Sequence, residues 1–176
     1  VMLHENSPYE AIRSAERAAV IPVIDRYLML SGSAGKNMVP AISPAERAVQ
    51  LFGEGCFCSE AVFKTFAALE GYTSDVAQLA LSTMGGGLCN QGEVCGAVLG
   101  GLAVIGARHS SMNPADKSTR GSALAAGKNL LDAMTEDHAS LDCITLTGIN
   151  FNLPDQALRF GQEKVANRVC QPIIRQ

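Results

Sequence analysis

The chain of 176 residues contains no tryptophan, and aromatic residues make up only 5% of it. Charge is scarce too: 18% of residues are charged, against about 25% in an ordinary soluble domain. Fourteen Lys and Arg stand against 17 Asp and Glu, for a net charge of −3. This balance lacks the basic excess of a nucleic-acid binder, and no charged tail is present to recruit a partner of opposite sign. Hydrophobic residues reach 47%, which excludes the low-hydrophobicity, high-charge composition of disorder. The longest apolar stretch without charge, 94–107, is too short to span a bilayer and has the length of a buried core helix. No membrane span is expected. The N-terminus shows no basic segment followed by an apolar one, so the chain is expected in the cytoplasm. It begins at Val1 rather than Met, which is consistent with upstream processing.

The length suffices for one hydrophobic core without disulfide or metal staples. Ser7-Pro8-Tyr9-Glu10 reads as an N-cap, a first-turn proline and an acid at the third position. A helix follows to about residue 30, kinked or split at Pro22. The Gly- and Pro-containing stretch 31–42 is a loop, so an N-terminal helical arm over 1–42 precedes one compact unit over 43–176. In that unit, Ser43-Pro44-Ala45-Glu46 caps a helix that ends near Gly53 and Gly55. Cys56-Phe57-Cys58-Ser59-Glu60 opens another, running to Glu70 and stopped by Gly71. A short helix from Ser74-Asp75 to Met84 leads into the irregular glycine-rich loop 85–92. A helix is predicted over 93–109, with Gly96, Gly100, Ala103 and Ala107 on one smooth face that suits tight helix packing. Further helices are predicted over 116–137, with Leu124, Leu130, Leu131 and Met134 as its apolar set, and over 163–174. Short turns at 141–148 and 154–160 separate them. Period-2 alternation is absent throughout, so the expectation is an all-α fold, a compact multi-helix bundle.

Six cysteines stand at positions 56, 58, 89, 95, 143 and 170. An even number permits a three-disulfide framework, but Cys56 and Cys58 cannot readily bond to each other in regular geometry. Cys58, Cys95, Cys143 and Cys170 fall at helix or turn edges in four separate segments. Their spacings of 37, 48 and 27 match no local zinc knuckle or ferredoxin run. A single helical cysteine is ordinarily a small buried hydrophobe, and that reading is retained for Cys56. Cys58 begins a helix after two glycines, and Cys95 is expected in the first turn beyond the triple glycine. A helix N-terminus stabilises thiolates, and glycine backbone can approach a cluster and donate N–H bonds to its sulfurs.

These residues carry a resemblance. Gly85-Gly86-Gly87 precedes Gly92-Glu93-Val94-Cys95-Gly96-Ala97-Val98-Leu99-Gly100, a C-G-A-x-x-G motif. Upstream stands Cys58-Ser59-Glu60-Ala61-Val62. Downstream stand Cys143-Ile144-Thr145-Leu146-Thr147-Gly148 and a final Cys170. Together they resemble the redox-active family named for its C-GCAxxG-C-C cysteine pattern, over roughly residues 43–172. The same region is similar to the non-haem part of split-Soret cytochromes, which are dimeric helical redox proteins with an additional iron–sulfur centre. The chain has no C-x-x-C-H, so no covalent c-type haem is expected. The resemblance implies that Cys58, Cys95, Cys143 and Cys170 act together in redox chemistry. It leaves Cys56 and Cys89 as extras, with Cys89 a possible substitute ligand. Gly85, Gly86, Gly87 and Gly96 are then the backbone around the sulfurs.

Four cysteines are what a [2Fe–2S] or [4Fe–4S] cluster needs, so the leading expectation is an iron–sulfur protein for electron transfer or redox sensing. Two alternatives stay open: metal-free thiol–disulfide chemistry, and a four-cysteine zinc or other metal-binding module. No phosphate-binding, dinucleotide, zinc-protease or nucleophile-elbow motif points to an organic substrate, so a carrier is favoured over an enzyme. His4, His109 and His138 are few. His109 suits the C-terminal dipole of its helix, Met84 reads as core, and Glu93 reads as a first-turn acid. Arg108 and Lys64 read as solvated charges. A homodimer, with the arm as an interface element, and a redox partner protein complete the expectations.

Overall fold

In the computed structural model, residues 42–72 and 75–176 are described. The predicted arm lies outside them, apart from Ile42, and so do His4 and Ser74. Among the described residues there are eight α-helices and no strand, as the missing period-2 pattern requires. None of these helices is long and apolar enough to cross a membrane.

Helix α1, Pro44–Gly53, is capped by Ser43, whose Oγ accepts from the Glu46 N–H at 3.2 Å. It closes at Gly55, with φ +108°, where the Gly55 and Cys56 amides donate back to the Phe52 and Leu51 carbonyls. Helix α2, Cys58–Leu69, has no hydroxyl cap; the Phe57 amide donates to Glu60 Oε2 at 2.8 Å. Its C-terminus closes in the same way at Gly71, with φ +76°. Helix α3, Asp75–Leu81, tightens into a 3₁₀ turn, Ser82–Met84. The remaining helices are α4, Gly96–His109, α5, Lys117–Asp137, α6, Cys143–Thr147, α7, Pro154–Gln162, and α8, Gln171–Arg175.

Two elements depart from the sequence reading. Helix α4 begins at Gly96, not at Glu93. Residues 92–95 instead pair with 141–144: Val94 bridges Asp142, the Cys95 amide donates to Leu141 O at 2.8 Å, and the Cys143 amide to Glu93 O at 2.7 Å. Backbone groups satisfied by a distant segment have no reason to turn helical. Glu93 is therefore an exposed residue ahead of the helix, and Cys95 is the residue just before its first turn. The last predicted helix is also broken. Lys164 takes a left-handed φ of +51°, and residues Ala166–Cys170 form a wide π turn before α8. Pro172 has no N–H to continue a regular ladder, and the widened turn directly precedes it.

The core is built on α4, which packs across α2 on one side and α5 on the other. One cluster joins Ala48, Val62, Ala97, Val98, Met134, Ile173 and Ile174; a second joins Phe63, Ala67, Leu81 and Val104, with Ala103 against it. The smooth face of α4 is the crossing point. A Cβ at Gly100 would stand 2.5 Å from the Ser59 carbonyl oxygen, so only glycine lets the two backbones meet. Ser59 is fully buried there, its hydroxyl donating to Leu81 O at 2.8 Å. On α5, Met134 is buried and Leu130 and Leu131 pack on the core, but Leu124 is 76% exposed.

A side chain at Gly106, by contrast, meets nothing within 4 Å. We expect G100A to destabilise the protein by about 2 kcal/mol through overpacking. G106A should stabilise it by about 0.5–1 kcal/mol through helix propensity. Urea denaturation of the two variants against the parent protein checks both signs.

Candidate functional site

A cavity of about 290 Å³ lies where α2, α4, α6 and the π turn converge, and Cys56, Cys58, Cys95, Cys143 and Cys170 all line it. Two other cavities, of about 340 and 540 Å³, contain no cysteine. Four of these sulfurs reach the cavity from the end of an element. Cys58 opens α2, Cys95 precedes α4, Cys143 opens α6, and Cys170 closes the π turn. The pairing of 92–95 with 141–144 ties Cys95 and Cys143 to neighbouring backbones.

The four expected glycines all serve this arrangement. A Cβ at Gly96 would stand 2.6 Å from Cys58 Sγ and 2.8 Å from Met84 O. One at Gly87 would stand 2.7 Å from Cys143 Cβ, and one at Gly85 would collide with the Phe57 ring. The Gly86 N–H donates to the Cys58 sulfur. Gly86 and Gly87 also hold φ of +61° and +70°, which favours glycine.

The sulfurs are electrostatically unequal. The Cys58 thiol donates a hydrogen bond to Cys95, and this lowers the Cys95 pKa to about 6 against the opposing effect of burial. The Ala97 and Val98 amides at the start of α4 and the charge of His138 assist. Cys58 is correspondingly held well above the usual thiol range, by that bond first and by burial second. Burial pushes Cys143 up to about 11 and Cys170 up to about 12, with nearby thiolates adding repulsion. Of the Cys58–Cys95 pair, Cys95 is thus the one that ionises first, with Cys58 keeping its proton and donating to it.

All six cysteines are free, so the structure shows no disulfide framework. Cys56 is no buried filler; it is half-buried on the cavity wall. Cys89 is exposed and off that wall, in a run where Leu88, Cys89 and Asn90 all have positive φ. Sequence reasoning did not find the aromatic rim of the cavity, Phe52, Phe57, Phe151 and Phe160, in which the last two rings lie 5.1 Å apart. These phenylalanines follow no motif, so only their position marks them. His138 is the histidine whose charge reaches Cys95, while His109 and Arg108 line the 340 Å³ cavity and Arg108 pairs with Glu70 at 2.8 Å. Met84 packs against the second core cluster, and its carbonyl faces Gly96.

The donor set can be tested against the expected groups. Zinc needs its thiolates about 2.3 Å from one centre. Among the described residues no three His, Cys, Asp or Glu side chains gather closely enough to hold a single ion. Four thiols on one cavity wall match in number and type the ligand set of an iron–sulfur cluster.

The unequal pKa values give a signed pH dependence in the metal-free protein. Cys95 contributes stability that is present above its ordinary value of about 9 and is lost as pH falls through about 6. Cys143 and Cys170 contribute stability present below about 9 and lost as pH rises through about 11 and 12. Ultraviolet thiolate absorbance should show one transition near pH 6, and C58A should move it toward about 9. An unmoved transition in C58A would show that the Cys58 hydrogen bond does not set the Cys95 pKa.

The family model described as "Putative redox-active protein (C_GCAxxG_C_C)" matches residues 56–176. No curated protein and no solved structure matches the chain. The family model covers more than half of the chain, and it takes in all of the cavity's cysteines and the glycines packed against them. The chain therefore belongs to the C_GCAxxG_C_C family of redox-active proteins.

Proposed function

We propose that this protein holds an iron–sulfur cluster on Cys58, Cys95, Cys143 and Cys170 and serves electron transfer or redox sensing. The observation that carries the reading is the convergence of these four sulfurs, from four separate segments, on one cavity. Four cysteine thiolates are the ligand set of [2Fe–2S] and [4Fe–4S] clusters, which supply reversible electron uptake when bound. The chain's own residues bind and tune. The Gly86, Ala97 and Val98 amides donate to sulfur, Gly96 leaves room beside Cys58, and the aromatic rim limits water. Exposed apolar side chains on α3, Val76 at 77% and Leu79 at 67%, support docking of a second copy or a redox partner protein.

A second reading rests on the contact between Cys58 and Cys95. A thiol bonded to a thiolate is arranged for dithiol–disulfide cycling. Oxidation of the pair forms one S–S bond, releases one proton from Cys58, and passes two electrons to an acceptor such as a disulfide.

Anaerobic purification with a visible spectrum and iron and sulfide analysis separates the readings. The cluster reading expects sulfide-to-iron charge-transfer absorption, with iron and sulfide both bound, and their loss in C143S and C170S. Colourless protein whose Cys58 and Cys95 oxidise reversibly to a disulfide would replace it with the second reading. Colourless protein with one bound zinc would overturn both.

A further inference from the structure

The cavity has five sulfurs on its wall, one more than a four-thiolate site uses. We propose that Cys56 is an exchangeable ligand that takes the place of Cys58, giving the site two alternative four-thiolate sets; this rests on the cluster reading above. Only Phe57 separates the two cysteines along the chain, and both reach the same wall. Both line the cavity, together with their neighbours Phe57 and Gly55.

The segment around Cys56 also has freedom to adjust. Its amide is tethered to Leu51 O at 3.1 Å, but side chains placed at Gly53 or Gly55 would meet nothing within 4 Å. Cys58, by contrast, is fixed by the first turn of α2, by the Gly86 N–H and by the close approach of Gly96. Exchange at this position needs no electron donor or acceptor. One sulfur–iron bond forms to Cys56 as the bond to Cys58 breaks, and the proton lost by Cys56 is taken up by Cys58. The sequence points to Cys89 as the substitute ligand, but the structure leaves Cys89 exposed and away from the wall.

The test is iron and sulfide per chain, with visible spectra, in anaerobically purified C58S, C56S/C58S and C58S/C89S. C58S should hold iron and sulfide within about twofold of the parent, with shifted bands, and C58S/C89S should match it. C56S/C58S should lose about tenfold or more. A C58S protein as empty as C56S/C58S overturns the proposal while leaving the cluster reading standing. A parent protein without iron or sulfide overturns both. Circular dichroism checks that C58S folds. If it does not, the metal-free parent protein treated with phenylarsine oxide decides. Arsenic bridges from Cys56 to Cys95, Cys143 or Cys170, mapped by mass spectrometry, support the proposal, and their absence overturns it.

Discussion

The start of α4 lies directly against the start of α2, and Gly96 and Gly100 are what allow it. Without side chains at these two positions, the α4 backbone reaches the Ser59 carbonyl and the Cys58 sulfur. Each glycine costs about 1 kcal/mol in helix propensity relative to alanine. What the fold gains is a crossing close enough to bring Cys58 into hydrogen-bond contact with Cys95. Any side chain at position 96 would occupy the space in which that contact forms.

A second constraint fixes the other half of the site. Residues 92–95 and 141–144 exchange backbone hydrogen bonds, and Gly87 packs against both the Glu93 backbone and Cys143. This short tie holds two cysteines that are far apart in sequence. It also explains the unequal thiols. Cys95 sits where helix amides are unpaired, and the donors it collects outweigh its burial. Cys143 and Cys170 collect too few donors, so burial wins and both stay protonated in the metal-free protein. Binding a cation would reverse that preference, because a coordinating thiol gives up its proton.

The cavity is narrow in its chemistry. Its wall combines sulfur, glycine backbone and phenylalanine rings, with Asn90 and Thr147 as its uncharged polar groups. Among the described residues no Asp, Glu, Lys, Arg or His lines it. Ala97, in the first turn of α4, lines both this cavity and the one between α2, α4 and α5. The strained run Leu88–Asn90 turns the loop outward after the glycines have made their contacts, which leaves Cys89 in solvent.

Much of this was readable in the residues themselves. The helical class followed from apolar spacing, and the ends of α1, α2 and α6 from Ser43, Gly55, Gly71 and Gly148. Glycine at 85–87 and 96 announced close backbone approach, because no other residue type needs to be absent-sided there. The order of the cysteines carried the family. The sequence could not show that α4 starts late or that the last helix widens into a π turn, because a distant strand-like partner and a local proline override periodicity there. Nor could it tell Cys56 from Cys89. Both are extra cysteines beside glycines, and only the folded chain decides that one faces the cavity and the other faces water. Local chemistry is written along the chain, whereas which sulfurs share a space depends on how separate segments pack.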